Sequence, residues 1–341
     1  MKCVAIKGPK ELSPAIIDEP VAKNENVLIE ISKAGICGSD IHYWVVGEPK
    51  TLVMGHEFSG RVLDPGSRSD LNIGDRVTAL PISPCGECEA CKSGNPQYCP
   101  NTWTYAIGLA LTNPGAYAEK TLSRPDMVIK LPENVSDEEG AMVEPTAVAL
   151  HAVNIANIKE GDNVLVIGGG IIGQLSAMLS KKKGARFVAI AETNKLRGEK
   201  AVELESADKF YDAKDENFLK NVLEHNPYGF DVVIDCCGNS ACVTNALICG
   251  KPNATIVLVG VSIENISIPS ILAVTKEQKL LGAIAYTKPE FQECIDMIAK
   301  REINVSKYID DVVDLENVQK SFERLTSGED DAIKILIDPK K

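Results

Sequence analysis

What the chain lacks narrows it first. No uncharged apolar run reaches the roughly 18–20 residues that a membrane-spanning helix needs. There is no internal repeat and no low-complexity segment. Basic residues are in deficit, with 36 Lys and Arg against 48 Asp and Glu, for a formal charge of −12. Such a surface has no general attraction for phosphate, so neither nucleic acid nor an anionic membrane is expected as a partner. Eleven cysteines in 341 residues are too sparse for a disulfide scaffold. The first nine residues lack the apolar core of a signal peptide and read as a strand through Cys3-Val4-Ala5-Ile6. A cytoplasmic, reducing location is the expectation.

What is present is ordinary for a folded protein: 44% apolar and 25% charged residues. At 341 residues the chain exceeds the size at which one core stops growing, so two domains are expected. Residues 1–145 carry short β-like runs at 27–31, 58–63 and 76–80, separated by turn signals such as Asp64-Pro65-Gly66 and Gly74-Asp75. Ser136-Asp137-Glu138-Glu139 has the pattern of a helix start, a serine cap followed by acids that complement the helix dipole. From 146 to 284 strands (163–167, 187–191, 231–236, 256–259) alternate with helical patterns, the first of these helices at 174–183. Alternation of this kind predicts a doubly wound parallel sheet with helices on both faces. The tail, 285–341, predicts helices near 289–300 and 315–325 and a strand at 332–337. It is too short for a domain of its own and is expected to complete the first one.

Val164-Leu165-Val166-Ile167 runs directly into Gly168-Gly169-Gly170-Ile171-Ile172-Gly173, a G-x-G-x-x-G between strand and helix. Gly168 permits the tight turn, Gly170 a close approach to a pyrophosphate, and Gly173 close helix–strand packing. The helix start, Ile172 included, offers free N–H groups and partial positive charge to phosphates. The next strand ends at Glu192, where a carboxylate accepts from a ribose 2′-hydroxyl and repels a 2′-phosphate. That predicts NAD rather than NADP, with Arg197 as the residue able to oppose the choice. The alternative is a glycine-rich turn that binds no nucleotide.

Cys85, Cys88, Cys91 and Cys99 form C-x2-C-x2-C-x7-C in a loop punctuated by glycine and proline. Four thiolates at this spacing suit a closed tetrahedral zinc that holds a lobe with little apolar surface. An iron–sulfur cluster, disulfides and unligated thiols are the alternatives. A second set of candidate ligands is dispersed: Cys37 in Gly35-Ile36-Cys37-Gly38-Ser39-Asp40-Ile41-His42, the pair His56-Glu57, and Glu144 in Met142-Val143-Glu144-Pro145. Spacing alone does not join them.

The order of these motifs, Cys37, His56-Glu57, Cys85–Cys99, Glu144 and Gly168–Gly173, resembles the zinc-dependent medium-chain dehydrogenase/reductase family over nearly the whole chain. The stretch Cys37-Gly38-Ser39-Asp40-Ile41-His42-Tyr43-Trp44, with Glu144-Pro145, is most similar to its polyol (sorbitol-type) branch. The resemblance implies an α/β protein: a GroES-like, mainly-β catalytic domain over 1–145 completed by 285–341, and a Rossmann NAD-binding domain over 146–284. It implies a catalytic zinc on Cys37 and His56. Glu57 would ligate or exchange with a ligand, and Glu144 would reach the metal directly or through water. The structural zinc falls to the four-cysteine loop. Ser39 would take the proton of an alcohol and His42 relay it, while Asp40 orients His56. Tyr43 and Trp44 would line the substrate pocket or simply pack beside the metal loop. Val259, Gly260, Val261, Ala283, Ile284 and Ala285 would offer backbone to the nicotinamide.

The activity so implied is hydride transfer between a secondary alcohol of a polyol or diol and NAD, with 2,3-butanediol or L-threonine 3-dehydrogenase as alternatives. Alanine at 285 stands where sorbitol-type enzymes carry an arginine, which implies a smaller or less polar substrate than a hexitol. A homo-oligomer, dimer or tetramer, is implied as well. The apolar run 254–261, followed by Ile263, Ile266 and Ile268, would be a liability as a free edge strand in a monomer. The same run would suit a buried central strand. A zinc-free quinone-reductase relative and a non-catalytic NAD-binding regulator are the rival classes, and neither has a use for Cys37, His56, Ser39 and His42 together.

Overall fold

A computed structural model describes residues 1–22, 25–262 and 264–341. The strands are β1 (Lys2–Gly8), β2 (Glu11–Ile16), β3 (Val27–Gly35), β4 (Glu57–Asp64), β5 (Arg76–Ala79), β6 (Lys120–Ser123), β7 (Val128–Lys130), β8 (Asn163–Ile167), β9 (Phe187–Glu192), β10 (Lys209–Asp212), β11 (Phe230–Asp235), β12 (Gly250–Leu258), β13 (Lys279–Gly282), β14 (Ile309–Val313) and β15 (Lys334–Ile337). The helices are α1 (Gly38–Val46), α2 (Glu89–Lys92), α3 (Asp137–Ala141), α4 (Val143–Ala156), α5 (Ile171–Lys182), α6 (Lys195–Glu203), α7 (Phe218–His225), α8 (Ser240–Cys249), α9 (Ser270–Lys276), α10 (Lys288–Ala299) and α11 (Val318–Thr326). Among the described residues no helix is long and apolar enough to cross a membrane.

The chain forms two compact units. The first comprises Met1–Ala147, Tyr286–Ser327 and Lys334–Lys341. Its main sheet runs β14-β15-β3-β4-β5-β7, with β6 also paired to β3, and β1–β2 form a separate hairpin. Alternation builds this sheet: in β3, Val27, Ile29 and Ile31 are wholly buried while the residues between them reach solvent. The C-terminal strand β15 pairs antiparallel with β3 at Leu336–Gly35 and Ile337–Ala34, so the tail completes the sheet begun by the N-terminal part. Ser136 caps α3, with Glu139 closing the reciprocal bond to the Ser136 N–H. Thr287 and Glu290 do the same for α10.

The second unit comprises Val148–Ala285 and Gly328–Ile333. Its six strands are all parallel in the order β10-β9-β8-β11-β12-β13, the doubly wound arrangement. A strand covered on both faces reads as a continuous apolar run, and Val164, Leu165 and Val166 of β8 are completely buried. The segment Gly328–Ile333 belongs here because Asn194 Nδ2 donates to the carbonyls of Gly328 (3.2 Å) and Asp330 (2.9 Å).

The structure decides between the two readings of the run 254–261. The run 254–261 is not an edge strand: β12 lies between β11 and β13, with Ile256 and Val257 fully buried. The edge is β13, whose Leu281 is exposed, as are Ile271 and Val274 of α9 and Ile266. Ile263 lies outside the described residues, and Ile268 packs against the second unit's core. Sequence reading also missed several short strands, among them β2, β6, β7, β10, β13 and β14. β6, β7, β10 and β13 have three or four residues and are too brief to show a period of their own, while β2 carries Pro14 and β14 carries Asp310-Asp311, which break an apolar run.

Candidate active site

The dispersed ligand candidates meet in the first unit. Cys37 ends the loop after β3 and caps α1, while His56 directly precedes β4 and Glu57 opens it. Pairing of Gly35 with Glu57 across the β3–β4 register draws the two loops together. Among the described residues Cys37, His56 and Glu57 form a group whose ligand atoms lie within 4.8 Å of one another. His56 and Glu57 are buried and Cys37 is half-buried. Ser39 Oγ donates to Cys37 Sγ at 3.3 Å and stands 3.5 Å from His56 Nε2. His42, one helical turn further along α1, is exposed.

A layer of buried groups holds this set. Asp40 accepts from the Cys37 N–H (3.1 Å) and the Tyr117 hydroxyl (2.6 Å), and its other oxygen faces His56 Nδ1 at 3.5 Å. Burial, and then the charge of Asp40, keep the Tyr117 phenol well above its usual range, so it remains a donor. Lys334 of β15, with no exposure at all, pairs with Glu57 and donates to the Ile36 carbonyl at 2.9 Å. A side chain at Gly35 would overlap both Glu57 and Lys334, which explains the glycine there. Glu144, at the start of α4, is not part of the convergent trio. Its Oε1 accepts from the buried Tyr286 hydroxyl at 2.8 Å, and burial pushes its carboxyl up to about 7, against the lowering influence of His56.

These residues fit a divalent cation. Cys37, Asp40, Glu57 and Glu144 gather potential negative charge around a single lysine, Lys334. Glu57 Oε1, Asp40 Oδ1 and His56 Nδ1 are buried without hydrogen-bond partners. Buried polar atoms are rarely left so: a metal ligated by Cys37, His56 and Glu57 would satisfy Glu57 Oε1, and His56 bound through Nε2 would carry its proton on Nδ1, facing Asp40 Oδ1 at 3.5 Å. Sequence reasoning missed Lys334, Tyr117 and Tyr286. Lys334 did leave a signal, a lone charge inside the apolar run Ala332-Ile333-Lys334-Ile335-Leu336.

Trp44 is not part of this site. It is buried, packs on Phe322 with ring centroids 5.7 Å apart, and donates to Gln319 at 3.3 Å. Tyr43, its neighbour, is half-buried.

The four-cysteine loop folds on itself around α2. The Cys88–Cys91 and Cys85–Cys99 sulfurs lie 3.5 Å apart and the Cys85–Cys91 pair 4.0 Å. A tetrahedral zinc with bonds of about 2.3 Å requires sulfurs about 3.8 Å apart, so the loop matches such a site. Backbone N–H groups point at the sulfurs, as from Cys85 to Cys99 (3.3 Å), Gly86 to Cys91 (3.3 Å) and Cys88 to Cys85 (3.4 Å). The Cys85 N–H foremost holds the Cys99 thiol down to about 6. All eleven cysteines are unbridged, so the disulfide alternative finds no support here.

In the second unit the glycine turn has the shape a dinucleotide needs. Gly168 has φ +106°, a conformation that side chains resist. A Cβ on Gly173 would overlap the Gly168 carbonyl, so the helix start lies hard against the turn. Gly170 caps α5, and a Cβ there would meet nothing within 4 Å, which leaves open space over the first helical turn with Ile172 in it. Glu192 ends β9 with one oxygen accepting from the Gly169 N–H (2.5 Å) and the other from the N–H groups of Thr193 (2.6 Å) and Asn194 (2.8 Å). Its carboxylate is thus fixed beside the turn. Arg197 follows in the first turn of α6. Val259 and Gly260 both donate to the Asp235 carbonyl at 2.9 Å, and Val261 and Ile284 are exposed at the same sheet end. Ala283 donates to the Leu258 carbonyl (3.0 Å), and Ala285 adopts φ +50°.

Comparison with known proteins agrees with both units. Residues 23–133 match the alcohol dehydrogenase GroES-like domain and residues 172–300 the zinc-binding dehydrogenase domain. D-xylulose reductase A of Aspergillus niger is 32% identical over 338 residues, covering 94% of this chain and 92% of that protein. A protein of Sinorhizobium meliloti, described as a zinc-binding dehydrogenase and bound to NADP, has a TM-score of 0.87 at 27% identity, with 99% of each chain covered. An Escherichia coli alcohol dehydrogenase complexed with NADH has a TM-score of 0.89, also at 27% identity and 99% of each chain. With both sequence domains matched in order and a full-length relative above 30% identity, the chain belongs to the zinc-binding alcohol dehydrogenase family of nicotinamide-dependent oxidoreductases.

Proposed function

We propose that the protein interconverts a secondary alcohol of a polyol or diol and the corresponding ketone, with NAD as the hydride partner and two zinc ions per chain. The observation that carries this reading is the convergence of Cys37, His56 and Glu57, with the Ser39 hydroxyl beside them. The likeness to a D-xylulose reductase supports a polyhydroxyl substrate. A zinc held by Cys37, His56 and Glu57 would supply Lewis acidity toward an alcohol oxygen, and nicotinamide would supply hydride exchange.

The chain's own residues do the rest. Ser39 offers the hydroxyl that receives the substrate proton, and His42, exposed one turn on, can pass it to solvent. Asp40, fixed by Tyr117 and the Cys37 N–H, orients His56. Lys334 holds Glu57 against the loop, and Tyr286 fixes one oxygen of Glu144, leaving the other for a ligand water or the substrate. Glu192 presents a carboxylate to the adenosine ribose hydroxyls, which favours NAD, and Tyr43 borders the pocket. Alanine at 285 removes a cationic contact, which favours a substrate shorter or less polar than a hexitol.

The exposed apolar residues on β13 and α9 favour a homo-oligomer joined through that edge, a dimer or a tetramer. Unbridged cysteines fit a reducing, cytoplasmic location. The test is NADH formation against a panel of tetritols, pentitols, hexitols and vicinal diols. Turnover confined to primary alcohols, or none on any member of the panel, would overturn the substrate class. Sedimentation showing only a 36.7 kDa species would overturn the oligomer.

A further inference from the structure

Three of the cysteines outside both metal sites stand beside the glycine turn. β11 ends at Asp235, and the loop Cys236-Cys237-Gly238 follows it at the sheet position next to β8, where the strand order reverses. Ligands of doubly wound sheets occupy the crevice at such a point. Cys237 is exposed, and its sulfur lies so close over Gly168 that a Cβ there would approach it to 2.9 Å. Cys242, in the first turn of α8, has its sulfur within 4.8 Å of the Cys237 sulfur and of an Asp235 oxygen.

We infer that Cys237 and Cys242 form an oxidisable dithiol whose conversion to a disulfide opposes dinucleotide binding at the Gly168–Gly173 turn. The inference about binding rests on the turn's role as given above, whereas the dithiol itself does not. Both backbones are already held. Asp235 accepts from the Cys237 N–H (3.1 Å) and the Gly238 N–H (3.0 Å), and the Asn239 cap accepts from the Cys242 N–H (2.9 Å). The two sulfurs already lie within 4.8 Å of each other. The Asp235 carboxylate is committed to these two N–H groups, which favours a thiol pair over a third metal site. A hydrogen bond from the Cys237 thiol, and the Asn239 cap, lower the Cys242 thiol, so Cys242 is the nucleophile of the pair. The Cys236 thiol, by contrast, is pushed up by burial, which disfavours its thiolate.

The oxidant is a peroxide. The Cys242 thiolate attacks one peroxide oxygen, the O–O bond breaks, and hydroxide leaves and takes up a proton to become water. Cys242 is then a sulfenic acid. The Cys237 sulfur attacks the Cys242 sulfur, the S–S bond forms as the S–O bond breaks, and the hydroxyl leaves with the Cys237 proton as a second water. Two electrons pass from the thiols to one peroxide. The single Cys237 S–H is shared between the Cys242 sulfur and the Ile167 carbonyl oxygen 3.5 Å away, and forming the disulfide removes that proton and fixes the sulfur that stands over Gly168. The turn is thereby altered where a pyrophosphate would lie, and by linkage a bound dinucleotide must shift the thiol–disulfide equilibrium toward the dithiol.

The experiment treats zinc-loaded enzyme with limiting hydrogen peroxide. Peptide mapping without reduction then locates any disulfide, and NADH fluorescence titration measures affinity before and after. The expected result is a Cys237–Cys242 link, reversed by dithiothreitol, with reversal at a lower dithiothreitol ratio when NADH is saturating. Affinity for NADH should be weaker by about tenfold in the oxidised form. Cys242→Ser should form no such link and should keep its affinity through the treatment. A map showing Cys37 or the 85–99 cysteines oxidised first, or Cys236 linked instead, would overturn the dithiol. A 237–242 link that leaves NADH affinity unchanged would overturn the coupling. Reduced enzyme that binds no NADH at all would overturn the role given to the turn, and with it the coupling, while the map still reads the dithiol.

Discussion

The two candidate metal-ligand sets of the first unit differ in how the fold builds them. The Cys85–Cys99 set is local: four sulfurs on a single loop, oriented by backbone N–H groups of that same loop. The Cys37, His56 and Glu57 set is assembled by β-pairing, and its supports come from distant segments, Tyr117 from one loop and Lys334 from the last strand. A local set needs only turns and can be laid down by spacing. A dispersed set needs a finished sheet, and in return it is largely buried, has unsatisfied polar atoms, and stands beside the Ser39 hydroxyl. The first arrangement suits a metal that only holds structure, the second a metal that does chemistry.

The sharpest way to break this comparison is Cys37→Ser. Activity should fall by about a thousandfold or more, equivalent to ~4 kcal/mol of transition-state stabilisation. One zinc should be lost by elemental analysis and the circular dichroism spectrum should be retained. Full turnover in this variant would remove the catalytic assignment. Cys91→Ser should do the opposite. It should release the other zinc and several kcal/mol of metal-linked folding energy, read as rapid protease cleavage within 85–105 and a lower Tm. Equal effects of the two variants on fold and turnover would erase the distinction.

Lys334→Met asks whether the dispersed set depends on its buried ion pair. Removing one partner of such a pair costs about 3–5 kcal/mol, because the other charge is stranded. Urea unfolding should show that loss, and adding Glu57→Gln should restore part of the stability while leaving activity low. A single variant as stable as wild type would mean that Glu57 is not held by Lys334. The smallest effect is expected in the second unit. Charge-assisted hydrogen bonds from ribose hydroxyls to Glu192 are worth about 1.5–3 kcal/mol each. Glu192→Ala should therefore narrow the preference for NAD over NADP by about tenfold to a hundredfold in kcat/KM, chiefly by weakening NAD. A wild type that prefers NADP, or a variant with unchanged selectivity, would mean that Glu192 is not the selector.

Sequence by itself determined the features whose physics is local. Continuous apolar runs marked the parallel strands β8 and β9, because strands buried on both faces admit nothing else. Gly168, Gly170 and Gly173 were legible because only glycine tolerates the turn and the close helix approach. The cap at Ser136 and the four-cysteine spacing belong to the same class. Tertiary structure alone decided the rest. It decided between an edge and an interior place for 254–258, because pairing partners are chosen by topology and not by hydrophobicity. It moved Trp44 from a candidate pocket to the core, because Phe322, nearly three hundred residues away in sequence, packs on it. It joined Cys37 to His56 and Glu57 through the β3–β4 register, and set Lys334 against Glu57 across the sheet. Spacing carries no information about such contacts, since the burial that makes a lone charge seek its partner exists only once the sheet has closed.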